Sequence, residues 1–282
     1  MKLYVIANEN NKSIYPLLKD ACQKNSVEYS PIFENEFDFI EYPNTEGHML
    51  YRASTSSLAK RIEQTIITNK TTTFHSAYNN SNVPHNASRH EAIFKKANIP
   101  TPKTIRDLPP SKNRLKNYVK HVGGFPVILK AFGGSHGVGV MKIDSFSSLI
   151  SVSDYLQRDE RKHLVLKEFI DTNGSARLIV VGNEVVDSIE YLNTKEDIRS
   201  NVGNSPRVRK KKFSDKVEEI AIKATHAIGS EFGGVDILID QNKNPLVLEV
   251  NFPCNFARAQ NTTNIDIADH MIKHLINKSK NI

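Results

Sequence analysis

The sequence predicts an α/β domain followed by a larger α+β region, and three observations carry that expectation. A strand–helix–strand pattern opens the chain, closely spaced prolines interrupt it near residue 100, and strands then arrive in runs with helices between them. Residues 3–7, Leu-Tyr-Val-Ile-Ala, read as a short buried strand. Ser13 is placed to cap a helix running to about Lys24, and residues 27–33 resemble a second strand. Residues 78–88 are polar and turn-rich, and a helix follows over residues 88–97. It must end before Ile99-Pro100-Thr101-Pro102, because proline lacks an amide hydrogen and pushes its predecessor out of the helical region.

Beyond that break, residues 126–130, 140–143, 164–170, 176–181 and 184–189 read as strands, the last two joined by a hairpin turn at Gly182-Asn183. A helix over residues 214–228 lines up Val217, Ile220, Ala221, Ala224 and Ile228, starts at Ser214 or Asp215, and stops at Gly229. A final amphipathic helix covers residues 266–277.

The composition, 282 residues with 39% hydrophobic and 24% charged, is that of a globular protein and is clear of the disordered range. No apolar run reaches the ~20 residues of a membrane helix. The apolar start is too short for a signal peptide, and Cys22 and Cys254 offer neither a disulfide framework nor zinc spacing, so a reducing cytoplasm is expected. The net charge is +7, and Arg207, Arg209, Lys210, Lys211 and Lys212 concentrate it. Such a run is a solvated loop, or else a surface for phosphates, an acidic substrate or a nucleic-acid backbone. No RNA-binding aromatic signature, helix-turn-helix cue or zinc finger accompanies it, which argues against nucleic acid.

The segment 233–251 is the most informative. Residues 235–239 and 246–250 are strand-like and flank the turn residues Gln241, Asn242, Lys243 and Asn244. A four-residue loop pairs Asp240 with Pro245, and constant antiparallel register then sets Asp236 opposite Glu249, with Asn251 on the same face. Facing carboxylates repel unless a cation lies between them. Two carboxylates and an amide suit magnesium; the plainer alternative is that one acid simply faces solvent. A second feature is the glycine-rich segment 133–139 after Lys130, which suits close backbone approach to phosphate. It also fits the Gly-x-Ser-x-Gly nucleophile elbow, but Val138-Gly139-Val140 continues as strand rather than the helix an elbow requires. Neither a P-loop nor Gly-x-Gly-x-x-Gly is present. Arg177 and Arg199 are candidates for gripping carboxylate or phosphate. His75, His85 and His90 lack catalytic or metal spacing and read as structural or exposed.

Taken together, these residues resemble the ATP-grasp superfamily, in its RimK-like branch of amino-acid and peptide ligases, from about Asn86 to Lys273. The resemblance rests on residues 126–130 with the glycine segment, on 167–170, 180–186 and 199–201, and on the strand segments 234–238 and 248–251. Leu50-Tyr51-Arg52 looks like part of the family's leading domain. It implies an ATP-grasp fold: an N-terminal α/β domain over 1–85, then two α+β subdomains over 86–165 and 166–282 that clasp ATP. It further implies that Lys130 contacts the phosphates under a loop containing Gly134, Ser135, His136 and Gly137. Lys167, Glu168, Phe169 and Ile170 would form the adenine hinge, with Ser175 near the ribose. Arg199, Ser200 and Asn201 would contact the nucleotide, and Arg177 and Arg199 would serve the transferred phosphate. Asp236, Glu249 and Asn251 would hold magnesium, with manganese as a substitute.

The implied reaction joins a carboxylate to an amine through an acyl phosphate, on an amino acid, a peptide or an acidic protein tail. The enzyme would lie off the membrane and associate as a homo-oligomer. Three positions depart from the pattern: Ala87 replaces a usual lysine, Ser175 replaces an aspartate for which Asp171 is a nearby substitute, and Phe252-Pro253-Cys254-Asn255 replaces a small residue with Ser-Pro-Gly. The competing reading is a basic, non-catalytic nucleotide or nucleic-acid binder on a decayed grasp fold.

Overall fold

The computed structural model describes residues 1–75, 90–131, 137–158, 163–194, 197–199 and 207–281. The chain opens with β1 (Lys2–Ala7), α1 (Tyr15–Lys24), β2 (Glu28–Phe33), β3 (Met49–Arg52) and α2 (Ser57–Ile66). The three strands form a parallel sheet in the order β2-β1-β3. Both faces of β1 are covered: Leu3, Val5 and Ala7 share a core with α1, while Tyr4 and Ile6 pack with Ala59, Ile62 and Ile66 of α2. That is why the strand reads as apolar throughout rather than alternating. Ser13 is not the cap of α1: the helix starts after Ile14 with no side-chain cap, and Pro16 in its first turn supplies the preset backbone angle.

The second group is α3 (His90–Lys96), β4 (Thr104–Ile105), α4 (Lys112–His121), β5 (Val127–Ala131), β6 (Val140–Ile143), α5 (Phe146–Leu156) and β7 (Leu164–Glu168). Its antiparallel sheet runs β4-β7-β5-β6 and is covered by Leu115 and Val119 of α4 and Leu149 of α5. A subdomain boundary after residue 165 therefore cuts β7, whose partners β4 and β5 keep it in this smaller sheet through Glu168. The strand expected through residue 170 ends there, leaving Phe169 and Ile170 in the connection.

The third group is β8 (Gly174–Val181), β9 (Glu184–Leu192), β10 (Val208–Lys210), α6 (Asp215–Ala227), β11 (Phe232–Ile239), β12 (Pro245–Asn251), α7 (Ala257–Thr263) and α8 (Ile267–Ser279). It forms an antiparallel sheet in the order β10-β9-β8-β11-β12. One face packs on α6 through Leu178, Val180, Val235 and Ile237. The opposite face, with Ile179, Val181 and Phe232, shares a core with β1, α1 and α8, so the N-terminal sheet is seated directly on the large one. The proline segment docks on the outer edge of β12, where Val247 N–H donates to the Pro100 carbonyl at 2.8 Å. No helix among the described residues is long and apolar enough to cross a membrane.

Candidate active site

Three adjacent strands of the large sheet align Arg177 on β8, Asp236 on β11 and Glu249 on β12 as direct cross-strand neighbours. Arg177 grips Asp236 with two charge-assisted bonds, Nε to Oδ1 at 2.7 Å and Nη2 to Oδ2 at 2.6 Å. The Asn251 amide lies 3.3 Å from both Asp236 Oδ2 and Glu249 Oε1. From the smaller sheet, Lys130 Nζ reaches to 3.9 Å from Glu249 Oε2. Asp236 is the most buried member of the row at 8% exposed, against 17% for Arg177 and 33% for Glu249. The Arg177–Asp236 pair is thus mostly buried, and Glu249 and Lys130 form the more open end of the site.

The expected pairing of Asp236 with Glu249 is present, but the turn that was to produce it differs. Ile239, not Asp240, pairs with Pro245, one residue out of the expected register. A β-bulge between Asp236 and Ile237 absorbs Leu248 and brings Asp236 opposite Glu249 again. The core records the same phase change. Val247 and Val250 both pack on the α6 face although they are three residues apart, which a regular strand forbids. The bulge thus re-aims Glu249 and Asn251 toward Asp236 while leaving apolar residues against α6.

Burial pushes the Asp236 carboxyl upward, and with the facing Glu249 carboxylate it outweighs the downward pull of the Arg177 guanidinium. Burial also opposes the Arg177 charge, yet Asp236 outweighs it and holds the guanidinium well above its ordinary range. A cation beside the two carboxylates relieves their repulsion, and an ionised carboxylate has lone pairs beyond the two that Arg177 occupies. Among the described residues no group of three or more His, Cys, Asp or Glu is arranged for a metal. The available set is two carboxylates plus the Asn251 amide, whose oxygen faces them once the amide is turned over. That oxygen-only set fits a hard divalent ion. Gly234 leaves the space this packing needs: a Cβ there would lie 2.4 Å from Cys254 Sγ. Burial raises the Cys254 thiol to about 11, so it packs here as a neutral side chain.

The model of the RimK-like ATP-grasp domain matches residues 85–275. The chain belongs to the RimK-like ATP-grasp family. It is 36% identical over 164 residues to a probable alpha-L-glutamate ligase of Klebsiella pneumoniae (strain 342), covering 57% of this chain and 54% of that protein. It is 34% identical over 165 residues to the ribosomal protein bS6--L-glutamate ligase of Salmonella paratyphi B (strain ATCC BAA-1250 / SPB7), covering 58% and 54%. The match thus spans about half the length of these curated relatives. Among solved structures, the ATP-grasp ligase PsnB, complexed with a phosphomimetic variant of its minimal precursor, Mg and ADP, aligns with a TM-score of 0.74 at 15% identity over 98% of both chains. D-alanine--D-alanine ligase from Bacillus anthracis aligns at 0.67 and 17% identity over 100% of this chain and 98% of that one. The fold is ATP-grasp.

Other residues singled out in the sequence have mixed partners. Arg199 is bound to Asp197 through Nη2 at 2.8 Å and points Nη1 at the Gly137 carbonyl, 3.4 Å away, which ties it to the glycine segment. Gly139 closes that segment: its carbonyl accepts from Ala131 N–H, and its positive φ of 86° belongs to the region that favours glycine. Lys167 is ion-paired with Glu91 of α3, a partner with no sequence signal. Glu168 accepts from Lys103 N–H at 3.1 Å, while Phe169 lies under the Lys142 ammonium. Ser175 pairs with Tyr191 across β8 and β9, and Asp171 meets Gln241 at 3.4 Å. Gly134, Ser135, His136, Ser200, Asn201, His85 and Ala87 lie outside the described residues. The basic run is partly neutralised, because Arg209 and Lys211 share Glu190.

Sequence reasoning missed a second charged cluster. Arg52 Nε lies 2.6 Å from Glu63 Oε2, and His75 Nε2 lies 3.4 Å from Glu63 Oε1. The Phe252 ring packs 5.4 Å from the Arg52 guanidinium and 4.1 Å from the His75 ring. Only the identity of Phe252, out of pattern just after Asn251, pointed to anything unusual there.

Proposed function

We propose that this chain is an ATP-dependent ligase that joins a carboxylate to an amine through an acyl phosphate. The observation that carries the reading is the row Arg177–Asp236–Glu249, flanked by Asn251 and faced by Lys130. In the first step a substrate carboxylate oxygen attacks the γ-phosphorus of ATP and the bond to the ADP oxygen breaks. The amine nitrogen then attacks the acyl carbon, phosphate leaves, and the nitrogen gives up a proton. Asp236, Glu249 and Asn251 would hold magnesium, which would neutralise charge on the transferring phosphoryl group. Arg177 fixes Asp236 and presents positive charge beside it, and Lys130 adds a point charge on the opposite wall, so positioning and electrostatics supply the rate. Arg199, next to Gly137, orients the phosphates with Gly134, Ser135 and His136. Lys167, Glu168, Phe169, Ile170, Ser175, Ser200 and Asn201 contribute to the nucleotide pocket.

The names of the relatives, glutamate ligases, support an amino acid as one substrate and a peptide or protein end as the other. The magnesium and ADP described with PsnB support the cofactor choice. The test is ADP release from ATP and magnesium with glutamate and candidate peptides, followed by mass analysis of the product. The expected result is turnover that requires both a carboxylate and an amine and is lost in Glu249→Ala. Tight ATP binding without turnover for any pair would sink the ligase, and full activity in Glu249→Ala would sink the metal assignment.

A further inference from the structure

Helix α4, Lys-Asn-Arg-Leu-Lys-Asn-Tyr-Val-Lys-His, contains cations and no acid. Lys112, Lys116 and Lys120 recur every fourth residue, so they form one exposed ridge along the helix. None of them, nor Arg114, is ion-paired with a described residue; Lys116 instead places its ammonium 5.4 Å from the centre of the Phe146 ring. Like charges at this spacing weaken a helix, and among the described residues no acid pairs with them. The contrast with residues 207–212, where Glu190 neutralises two cations, is direct. Beside the ridge lies a cavity of about 640 Å³ bordered by Lys116, Lys120, Gly124, Phe125 and Phe146. Leu115 and Val119 attach α4 to the same sheet face as Leu129, whereas Lys130, next in the strand, points the other way toward Glu249. The ridge is thus on the outside of the smaller sheet, away from the cleft.

We propose that this ridge docks an acidic peptide segment. Successive lysines four residues apart rise about 6 Å along the helix. Carboxylates on one side of an extended peptide repeat every ~6.6–6.8 Å, so three can meet three ammonium groups. A single-stranded nucleic acid is less well served, because it needs a series of free ring faces for its bases. Here Phe125 offers one partly exposed ring and Lys116 already covers Phe146. The proposal goes beyond the ligase reading and is tested without turnover, so the two fail separately.

The experiment is fluorescence anisotropy of labelled oligoglutamate with the full chain at low ionic strength. The triple variant Lys112→Glu, Lys116→Glu, Lys120→Glu is expected to weaken binding about tenfold or more, each exposed pair contributing modestly. ATP binding should be unchanged, and Lys210→Glu with Lys212→Glu should have no effect on the peptide. If circular dichroism shows the Glu variant unfolded, the Lys→Gln triple variant carries the test, with the same direction of change. Unchanged oligoglutamate affinity in the folded triple variant overturns the proposal. So does loss of affinity in the 210/212 variant alone, or tighter ridge-dependent binding of a single-stranded RNA of equal charge.

Discussion

Arg52 and Arg177 are each held by a buried carboxylate, yet only the second pair leads outward. Arg52, Glu63 and His75 have side chains that are 0% exposed, and the Arg52 bond to the Ser54 carbonyl and the Phe252 ring close the cluster. Arg177 and Asp236 continue instead into Glu249 and Lys130, each about a third exposed at the cleft. The chemistry of the two pairs is nearly the same, and their surroundings set their use. A sealed pair clamps β3 to α2 and repays its desolvation only through geometry. A pair backed by core on one side and by a half-open second carboxylate on the other can take a cation and a phosphate. Phe252 touches the sealed cluster and directly follows Asn251, so the two are mechanically adjacent.

The largest effect expected from this contrast is on stability. Arg52→Met removes the arginine that pairs the buried Glu63 carboxylate and should cost roughly 3–5 kcal/mol by denaturant unfolding, while the double variant Arg52→Met, Glu63→Leu recovers most of it. Nucleotide affinity per folded molecule should hold in both. Next comes Glu249→Ala, where ATP turnover should fall about a hundredfold to a thousandfold, roughly 3–4 kcal/mol, with little change in unfolding temperature. If instead the protein unfolds and the turnover of its folded fraction survives, the roles of the clusters are reversed. Lys130→Ala should raise the KM for ATP about tenfold with a smaller change in kcat, because a lone ammonium contributes mainly to phosphate binding.

The smallest effect concerns protons. His90 is buried, and burial lowers its pKa from 6.5 to about 4. The unfolded chain therefore binds a proton below 6.5 that the folded form refuses until about 4. The stability this contributes is complete above 6.5 and is lost as pH falls through that window. At pH 6 the loss is under about 1 kcal/mol. His90→Phe should flatten this part of a thermal-unfolding pH series. His75 shifts the same way, since burial outweighs its Glu63 partner, so a residual slope should remain. Complete flattening would mean that His75 stays charged in its sealed cluster.

Much of this was legible in residue order because it is local. The apolar runs of β8, β9, β11 and β12, the Gly182 turn, the proline break at residue 100 and the helices α6 and α8 follow from local composition, short-range periodicity and turn chemistry. Carboxylates at 236 and 249, an amide at 251 and a lysine after a strand were visible as a set suited to phosphate and metal. Tertiary structure decided the rest, because it depends on contacts between distant segments. No periodicity encodes that Arg177 lands beside Asp236, that Lys130 crosses from another sheet to Glu249, or that Glu63 and His75 converge on Arg52. The β-bulge shows the division most clearly. Hairpin arithmetic placed Asp236 opposite Glu249 while misplacing the turn by one residue, and packing Val247 and Val250 against α6 absorbed Leu248 and restored the pair. The sequence alone determined which groups were available; burial against α6 and the N-terminal sheet decided where they point, because only packing assigns a cost to facing the wrong way.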